Sequence, residues 1–218
     1  MGQTPKLLRR YTELPALIDL LMNQRISFLN PSLWDDRNDS YFIKKYKEEK
    51  TATAVLATCL SSIGETYHHW RVFCGHSSGV CIEFFDKKLI NFAKSIPGVR
   101  SGAVKYMTLG KIEDEIKAKK LELSELPFIK RYAFRHEEEF RLIYESIEAS
   151  DADKIAHQVK IPLSIIHGVT LSPWMPIPLF EATQKILSSI PGCDAITIGR
   201  SELIENERWK RNVDSFRR

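Results

Sequence analysis

Apolar and polar positions change period repeatedly along this chain, and the changes mark its elements. Leu7 to Thr12 reads as a short strand; Leu14, Leu17, Ile18, Leu20 and Leu21 then fall on one helical face over Leu14 to Asn23, opened by Thr12 and Pro15. Gln24 to Leu29 returns to alternation, so the chain opens as strand, helix, strand. Asn30 to Asp39 (NPSLWDDRND) is dense in turn formers and predicts a loop. Thr53 to Leu60 reads as a buried strand, Glu65 to Cys74 as a helix carrying Tyr67, Trp70, Val72 and Phe73, and Gly79 to Phe85 as the clearest strand of all.

Further on, Asp86 to Ser95 predicts a short amphipathic helix and Val99 to Met107 a strand. Lys111 to Leu123 predicts an exposed helix with Glu113 to Lys117 and Glu115 to Lys119 at i,i+4 spacing. Phe140 to Tyr144, His157 to Ile161, Gly168 to Ser172 and Ala195 to Ile198 complete the strands, with a helix from Leu179 to Ile190 after Pro178. The interleaving has no internal repeat or linker and its connections are too short for a regular βαβ series. It predicts one α+β domain over residues 1–218 with a mixed, mostly antiparallel sheet and flanking helices. Residues 7–205 would form its core, and 206–218 a basic C-terminal surface helix or tail.

Composition narrows the class without naming it. A chain of 218 residues that is 43% hydrophobic can bury a sizeable core, which excludes disorder. Its net charge of +4 permits contact with a polyanion but does not require it. Cys59, Cys74, Cys81 and Cys193 form no CxxC pair, so a structural zinc or a disulfide framework is not expected, and a reduced cytoplasmic setting fits. No apolar run reaches the roughly 20 residues of a membrane span, so no membrane partner is expected. The phosphate loop GxxxxGK, a GxGxxG turn, GxSxG and HExxH are all missing from the sequence.

Candidate chemistry therefore gathers at strand ends. In Lys130 to Glu145 (KRYAFRHEEEFRLIYE) the period switches: Tyr132, Phe134 and the glutamates read as a turn, and Phe140, Leu142 and Tyr144 alternate as a strand does. Glu137 and Glu139 share a side if the strand has begun, and Glu138 points away. A carboxylate there serves as a general base or stabilises an oxocarbenium cation; equally, Arg135 and Arg141 make the same residues a plain ion-pair network. Arg9, Arg10 and Tyr11 end the first strand, where an arginine clamps a phosphate or pairs at the surface. Asp35, Asp36 and Asp39 lack the glycine and terminal glutamate of an EF-hand loop and read first as caps for a helix start. His68, His69 and His76 show no i,i+4 pair for a metal, and Trp70 with Phe73 reads as core.

Together these stretches resemble a bacterial domain-of-unknown-function family. Its pattern is a Y-K-Y-like strand, an N-D-P-F-D turn, a C-x-S strand followed by W-x-x-Y and G-x-x-I-x-F, and a late K-x-x-x-F-x-x-E-x-E-W/F-R strand. This chain shows LRRYT, NPSLWDDRND, ATCLS, HHWRVFCGHSSGVCIEF, IKRYAFRHEEEFRLIY and a closing VTLSP, in that order over residues 7 to 205. The turn core is Asp35-Asp36-Arg37-Asn38 here, and Phe73 stands where the family has tyrosine. The matching positions are Arg10, Tyr11, Asp36, Asp39, Ser61, Trp70, Glu137, Glu139 and Arg141.

LLRRYTELPALIDLLMNQRISFLNP, followed much later by EEEFRLIY, is also similar to the plan of the ADP-ribosyltransferase superfamily, with Asn23-Gln24 in place of a glycine before the second strand. That resemblance implies an ADP-ribosyltransferase-like fold and an NAD-dependent transferase, with NAD as substrate and no metal. Glu139, with Glu137 beside it, would stabilise the ribosyl cation as nicotinamide leaves. Arg10 and Tyr11 would hold the NAD phosphates or ribose, Trp70 or Tyr67 would pack on a ring, and Asp36, Ser61 and Arg141 would complete the cofactor-binding set. The implied role is a toxin or phage-defence effector that modifies nucleic acid or protein. Two other classes stay open: a non-catalytic nucleic-acid or partner-binding module, and a metal-dependent nuclease using Asp35, Asp36 and His69.

Overall fold

Strands and helices alternate along the described residues, 5–152, 154–214 and 216, of a computed structural model. In chain order they begin with β1 (Leu7–Glu13), α1 (Leu14–Asn23), β2 (Arg25–Leu29), α2 (Arg37–Glu49), β3 (Ala54–Ser61), α3 (Tyr67–Phe73) and β4 (Gly79–Phe85). Next come α4 (Asp86–Lys94), β5 (Val99–Ala103), β6 (Lys105–Met107), α5 (Leu109–Lys117), β7 (Ile129–Arg131) and β8 (Glu139–Ser146). The last are β9 (Ala156–Lys160), β10 (Ile166–Leu171), α6 (Ile177–Ser188), β11 (Thr197–Arg200) and α7 (Glu207–Asp214). The expected α+β class, with mixed and mostly antiparallel pairing, is what these elements form.

The chain divides into two compact units. The first takes Met1–Leu8, Arg25–Ile63 and Phe85–Pro162. Its strands follow the order β9-β2-β3-β8-β5, every neighbour antiparallel. β3 and β8 pair over their full lengths, from Ala54 opposite Ser146 to Ser61 opposite Glu139. Ile43, Tyr46, Val55, Ala57 and Ile143 form a buried apolar cluster on this framework, with Trp34, Leu123, Leu126 and Phe128 packed around it. The second unit takes Arg9–Gln24, Gly64–Phe84 and Leu163–Arg218. Its strand order is β11-β10-β4-β1, with β10 antiparallel to β4 and parallel to β11, the latter joined through α6. Leu17, Leu21, Trp70, Ile82, Phe84, Leu171 and Leu187 are its buried side chains of greatest bulk.

Three local features depart from the sequence expectation. Residues 37–49 form a helix that the pattern did not reveal. The buried stripe of α2 is Asp39, Ile43 and Tyr46, at i, i+4 and i+7, so one of its three inward positions is a carboxylate and the apolar periodicity is broken. The strand expected from Val99 to Met107 divides at Val104. β5 pairs with β8, while β6 leaves that sheet to pair in parallel with β7. Phe73, expected in the core beside Trp70, is exposed, because α3 ends there.

Gln24, which stands in place of a glycine, adopts φ 48° and donates its N–H to the Leu20 carbonyl, so it supplies the left-handed stop that α1 needs before β2. Of the expected C-terminal helix or tail, α7 is an exposed helix, and residues 215, 217 and 218 lie outside the described residues. Among the described residues no helix is long and apolar enough to cross a membrane.

Asp36 is the N-cap of α2, its Oδ1 accepting from the N–H groups of Asn38 and Asp39 at 3.0 and 3.4 Å. Losing a cap of this kind costs about 1 kcal/mol. Asp36→Ala is therefore expected to lower unfolding stability by about that amount in a urea titration, whereas Asp36→Ser retains most of it.

Candidate functional site

The acidic segment is organised by a turn. Tyr132–Glu137 form a 3-10 helix, and Glu138 follows with φ 43°, the left-handed conformation that reverses the chain into β8. Glu138 is exposed, while Glu137 and Glu139 on either side are buried. The Ser61 hydroxyl donates to the Glu137 carbonyl at 2.9 Å, the Ser62 N–H to that of Glu138 at 2.8 Å, and the Val104 N–H to that of Glu139 at 2.9 Å. The Glu139 N–H donates in turn to Tyr106 Oη at 2.8 Å. Every peptide of the bend is thus tied to a neighbouring element, which fixes where the carboxylates point.

Along β8, Glu139 and Arg141 lie two residues apart and so share a face. Arg141 is fully buried. Its Nε donates to Glu139 Oε1 at 2.8 Å and its Nη2 to Glu139 Oε2 at 2.9 Å. Nη1 donates to Asp39 Oδ1 at 2.9 Å and to the Pro127 carbonyl at 2.8 Å, and Nη2 also reaches Asp39 Oδ2. All five guanidinium N–H groups are thereby used on protein oxygens. The Trp34 ring lies 4.9 Å from its central carbon. From β7, Lys130 Nζ stands 2.6 Å from Glu137 Oε2, 3.3 Å from Glu139 Oε2 and 3.6 Å from Asp39 Oδ2.

Three carboxylates, Asp39, Glu137 and Glu139, therefore face two cations, Lys130 and Arg141, in a buried setting. Burial disfavours ionisation of Glu139, but the Arg141 and Lys130 charges outweigh it and hold its carboxyl at about 2. For Glu137 the burial penalty prevails over Lys130, and its carboxyl is raised above the ordinary value of 4.5. The same carboxylates raise Lys130 and Arg141 against the pull of burial, so both stay charged. Asp39 and Lys130 also line a cleft of about 110 Å³ whose apolar walls include Phe42, Met107, Ile112 and Ile129.

The expected site residues divide between the two units. Glu137, Glu139, Arg141, Asp36 and Ser61 belong to the first; Arg10, Tyr11 and Trp70 belong to the second. Arg141, expected on a cofactor, has no N–H left for a phosphate. Asp36 acts on α2 as its cap, and Ser61 on the backbone of Glu137.

In the second unit Arg10 is half-buried. Tyr11 stacks on His69 with ring centres 5.0 Å apart and meets Trp70 edge-on at 5.4 Å. Trp70 is 1% exposed and its indole N–H donates to Glu65, so it is a core side chain and offers no face to a ligand ring. The Tyr11 hydroxyl is buried without a hydrogen-bond partner among the described residues, and burial pushes the phenol well up. His69 is engaged by Thr66. No group of three or more His, Cys, Asp or Glu side chains that could hold a metal ion occurs among the described residues.

Sequence reasoning gave no role to Lys130 or Tyr106 and left Asp39 among the turn residues. Asp39 was legible in one respect: it lies three residues after the N-cap, on the inward stripe of α2.

A family model described as "Protein of unknown function (DUF2971)" matches residues 69–142, which bears out the resemblance to a family of unknown function over that stretch. No curated protein matches the chain. Similar solved structures include Thermus sp. 2.9 DarT in complex with NAD+, with a TM-score of 0.46 and 11% identity over 93% of this chain and 98% of that one. The same protein in complex with ADP-ribosylated ssDNA gives 0.46 and 12% over 93% and 98%, and in complex with carba-NAD+ 0.44 and 12% over 92% and 98%.

Removing the Arg141 guanidinium leaves Asp39 and Glu139 buried without their main counter-charge, a change that costs roughly 3–5 kcal/mol. Arg141→Ala is expected to lose that much in denaturant unfolding, and Arg141→Lys to recover only part, since an ammonium cannot bridge both carboxylates bidentately. Because the folded value of Glu139 lies below its ordinary 4.5, its stabilisation is present above pH 4.5 and lost as pH falls toward about 2. Glu139→Gln should flatten that acid limb of a stability-against-pH curve; an unchanged limb would assign it to other groups.

Proposed function

We propose that this chain is an NAD-dependent ADP-ribosyltransferase-type enzyme whose chemical centre is Glu137 with Glu139. The observation that carries the reading is the opposite displacement of two neighbouring carboxyls, Glu139 down to about 2 and Glu137 up, around one shared lysine. Adjacent carboxyls driven apart in this way divide the labour of acid–base chemistry. Glu139 is the permanent anion. It suits a reaction in which the bond from ribose C1′ to nicotinamide breaks and positive charge builds on the sugar. Glu137, the carboxyl that holds its proton more readily, suits the general base that accepts a proton from the acceptor as it attacks C1′.

The acceptor is nucleic acid or protein, and the biological role proposed is that of a toxin or phage-defence effector in the cytoplasm. A second reading is favoured by the saturation of Glu139. Both its oxygens are engaged by Arg141, and one also meets Lys130, as expected of a non-catalytic binding module in which the network only holds β8, α2 and β7 together.

Incubation with NAD and a panel of oligonucleotide and protein acceptors separates the two. The enzyme reading expects nicotinamide release that falls at least about 100-fold in Glu139→Gln, judged on protein that still melts cooperatively. Glu137→Gln should lose the pH dependence of the rate as well as part of its magnitude. Equal release from wild type and Glu139→Gln, or none from either with every acceptor, contradicts it and leaves the binding module.

A further inference from the structure

A second feature, confined to the second unit, is independent of the carboxylate cluster. Arg71 on α3 is exposed, and its guanidinium carbon lies 4.2 Å from the centre of the Trp174 ring and 5.1 Å from that of Tyr67. Its Nε donates to Tyr67 Oη at 2.8 Å, and Nη1 stands 3.1 Å from His76 Nε2. His76 and Tyr67 both adjoin Trp174, at 5.5 and 5.9 Å between ring centres. No carboxylate of the described residues pairs with Arg71. An arginine positioned by rings alone keeps its charge and three of its N–H groups for something outside the chain.

The platform is built rather than incidental. Buried Ser172 donates its hydroxyl to the His76 carbonyl and accepts from the Trp174 N–H at 3.1 Å, tying the two loops together. Arg200 donates to the carbonyls of Met175 at 2.8 Å and Pro173 at 2.6 Å, fixing the turn on both sides of Trp174. Glu13 accepts from the Gly75 N–H and the Ser78 hydroxyl, holding the loop in which His76 adopts φ 41°, a conformation costly for a residue with a side chain. Exposed Tyr67, Arg71 and His76 around a half-buried Trp174, with the guanidinium unneutralised, match a ligand that alternates flat heteroaromatic rings with anions.

We infer that Tyr67, Arg71, His76 and Trp174 form a docking surface for single-stranded nucleic acid, on which an unpaired base stacks against Trp174 or Tyr67 and the neighbouring phosphate meets Arg71. A duplex is excluded, since its base faces are hidden by stacking.

Fluorescence anisotropy of a labelled single-stranded oligonucleotide, in the absence of NAD, tests this apart from any catalysis. Wild type should bind the strand in preference to the corresponding duplex, with affinity that falls as salt rises. Trp174→Ala should weaken binding about tenfold or more and Trp174→Phe much less, as loss of a stacking ring predicts. Arg71→Gln, at an exposed position where folding is not in question, should weaken binding and reduce its salt dependence. Undetectable binding, or unchanged affinity in both Trp174→Ala and Arg71→Gln, overturns the inference. So does saturable binding of NAD or AMP that the same variants abolish while the strand binds as before, which would assign the surface to a free nucleotide.

Discussion

The Arg141 guanidinium is the constraint on which the first unit depends. A fully buried cation is tolerated only when its charge and every donor are answered, because isolating such a group from water costs several kcal/mol or more. Answering it requires Asp39 from the first turn of α2, Glu139 from the start of β8 and the Pro127 carbonyl from the chain entering β7. One side chain therefore sets the relative positions of a helix, a strand and a turn that are far apart in sequence. The cap at Asp36, the left-handed bend at Glu138 and the ties from Ser61 and Tyr106 serve the same end, bringing the acidic ends to the guanidinium with little freedom to depart.

That arrangement leaves an unequal count of charges. Burial raises the proton affinity of both Asp39 and Glu137, while the Arg141 and Lys130 charges hold Glu139 below its ordinary value. On the reading proposed above, the opposite displacement of Glu137 and Glu139 is what would give the cluster a chemical role. The neighbouring cleft is lined by Asp39 and Lys130 of the cluster and by apolar walls.

Much of the framework was legible in sequence because its periods are clean. β1, α1, β2, β3 and β4 lie within a few residues of their expected places. Glu137 and Glu139 are buried and Glu138 is exposed as expected, but through the left-handed bend at Glu138 rather than strand alternation, since β8 begins only at Glu139. What stayed hidden has a common cause: side chains whose burial contradicts their chemistry. Asp39 sits on the apolar stripe of α2 and concealed the helix; Arg141, expected in an ion-pair network or on a cofactor, is fully buried between Glu139 and Asp39. Trp70 and Phe73 reverse the expectation in part, since only the tertiary end point of α3 decides which ring is covered. Trp174 and Arg71 come from distant segments, and no local pattern announces their meeting.

The separation of two carboxyl titrations is the property on which the chemistry of the cluster most directly depends. Side-chain carboxyl carbons of Glu137 and Glu139, followed by NMR in selectively labelled protein across acid pH, report each group on its own. The prediction is a midpoint near 2 for Glu139 and one above 4.5 for Glu137. Coincident midpoints at the ordinary value, or Glu139 titrating above Glu137, would contradict it.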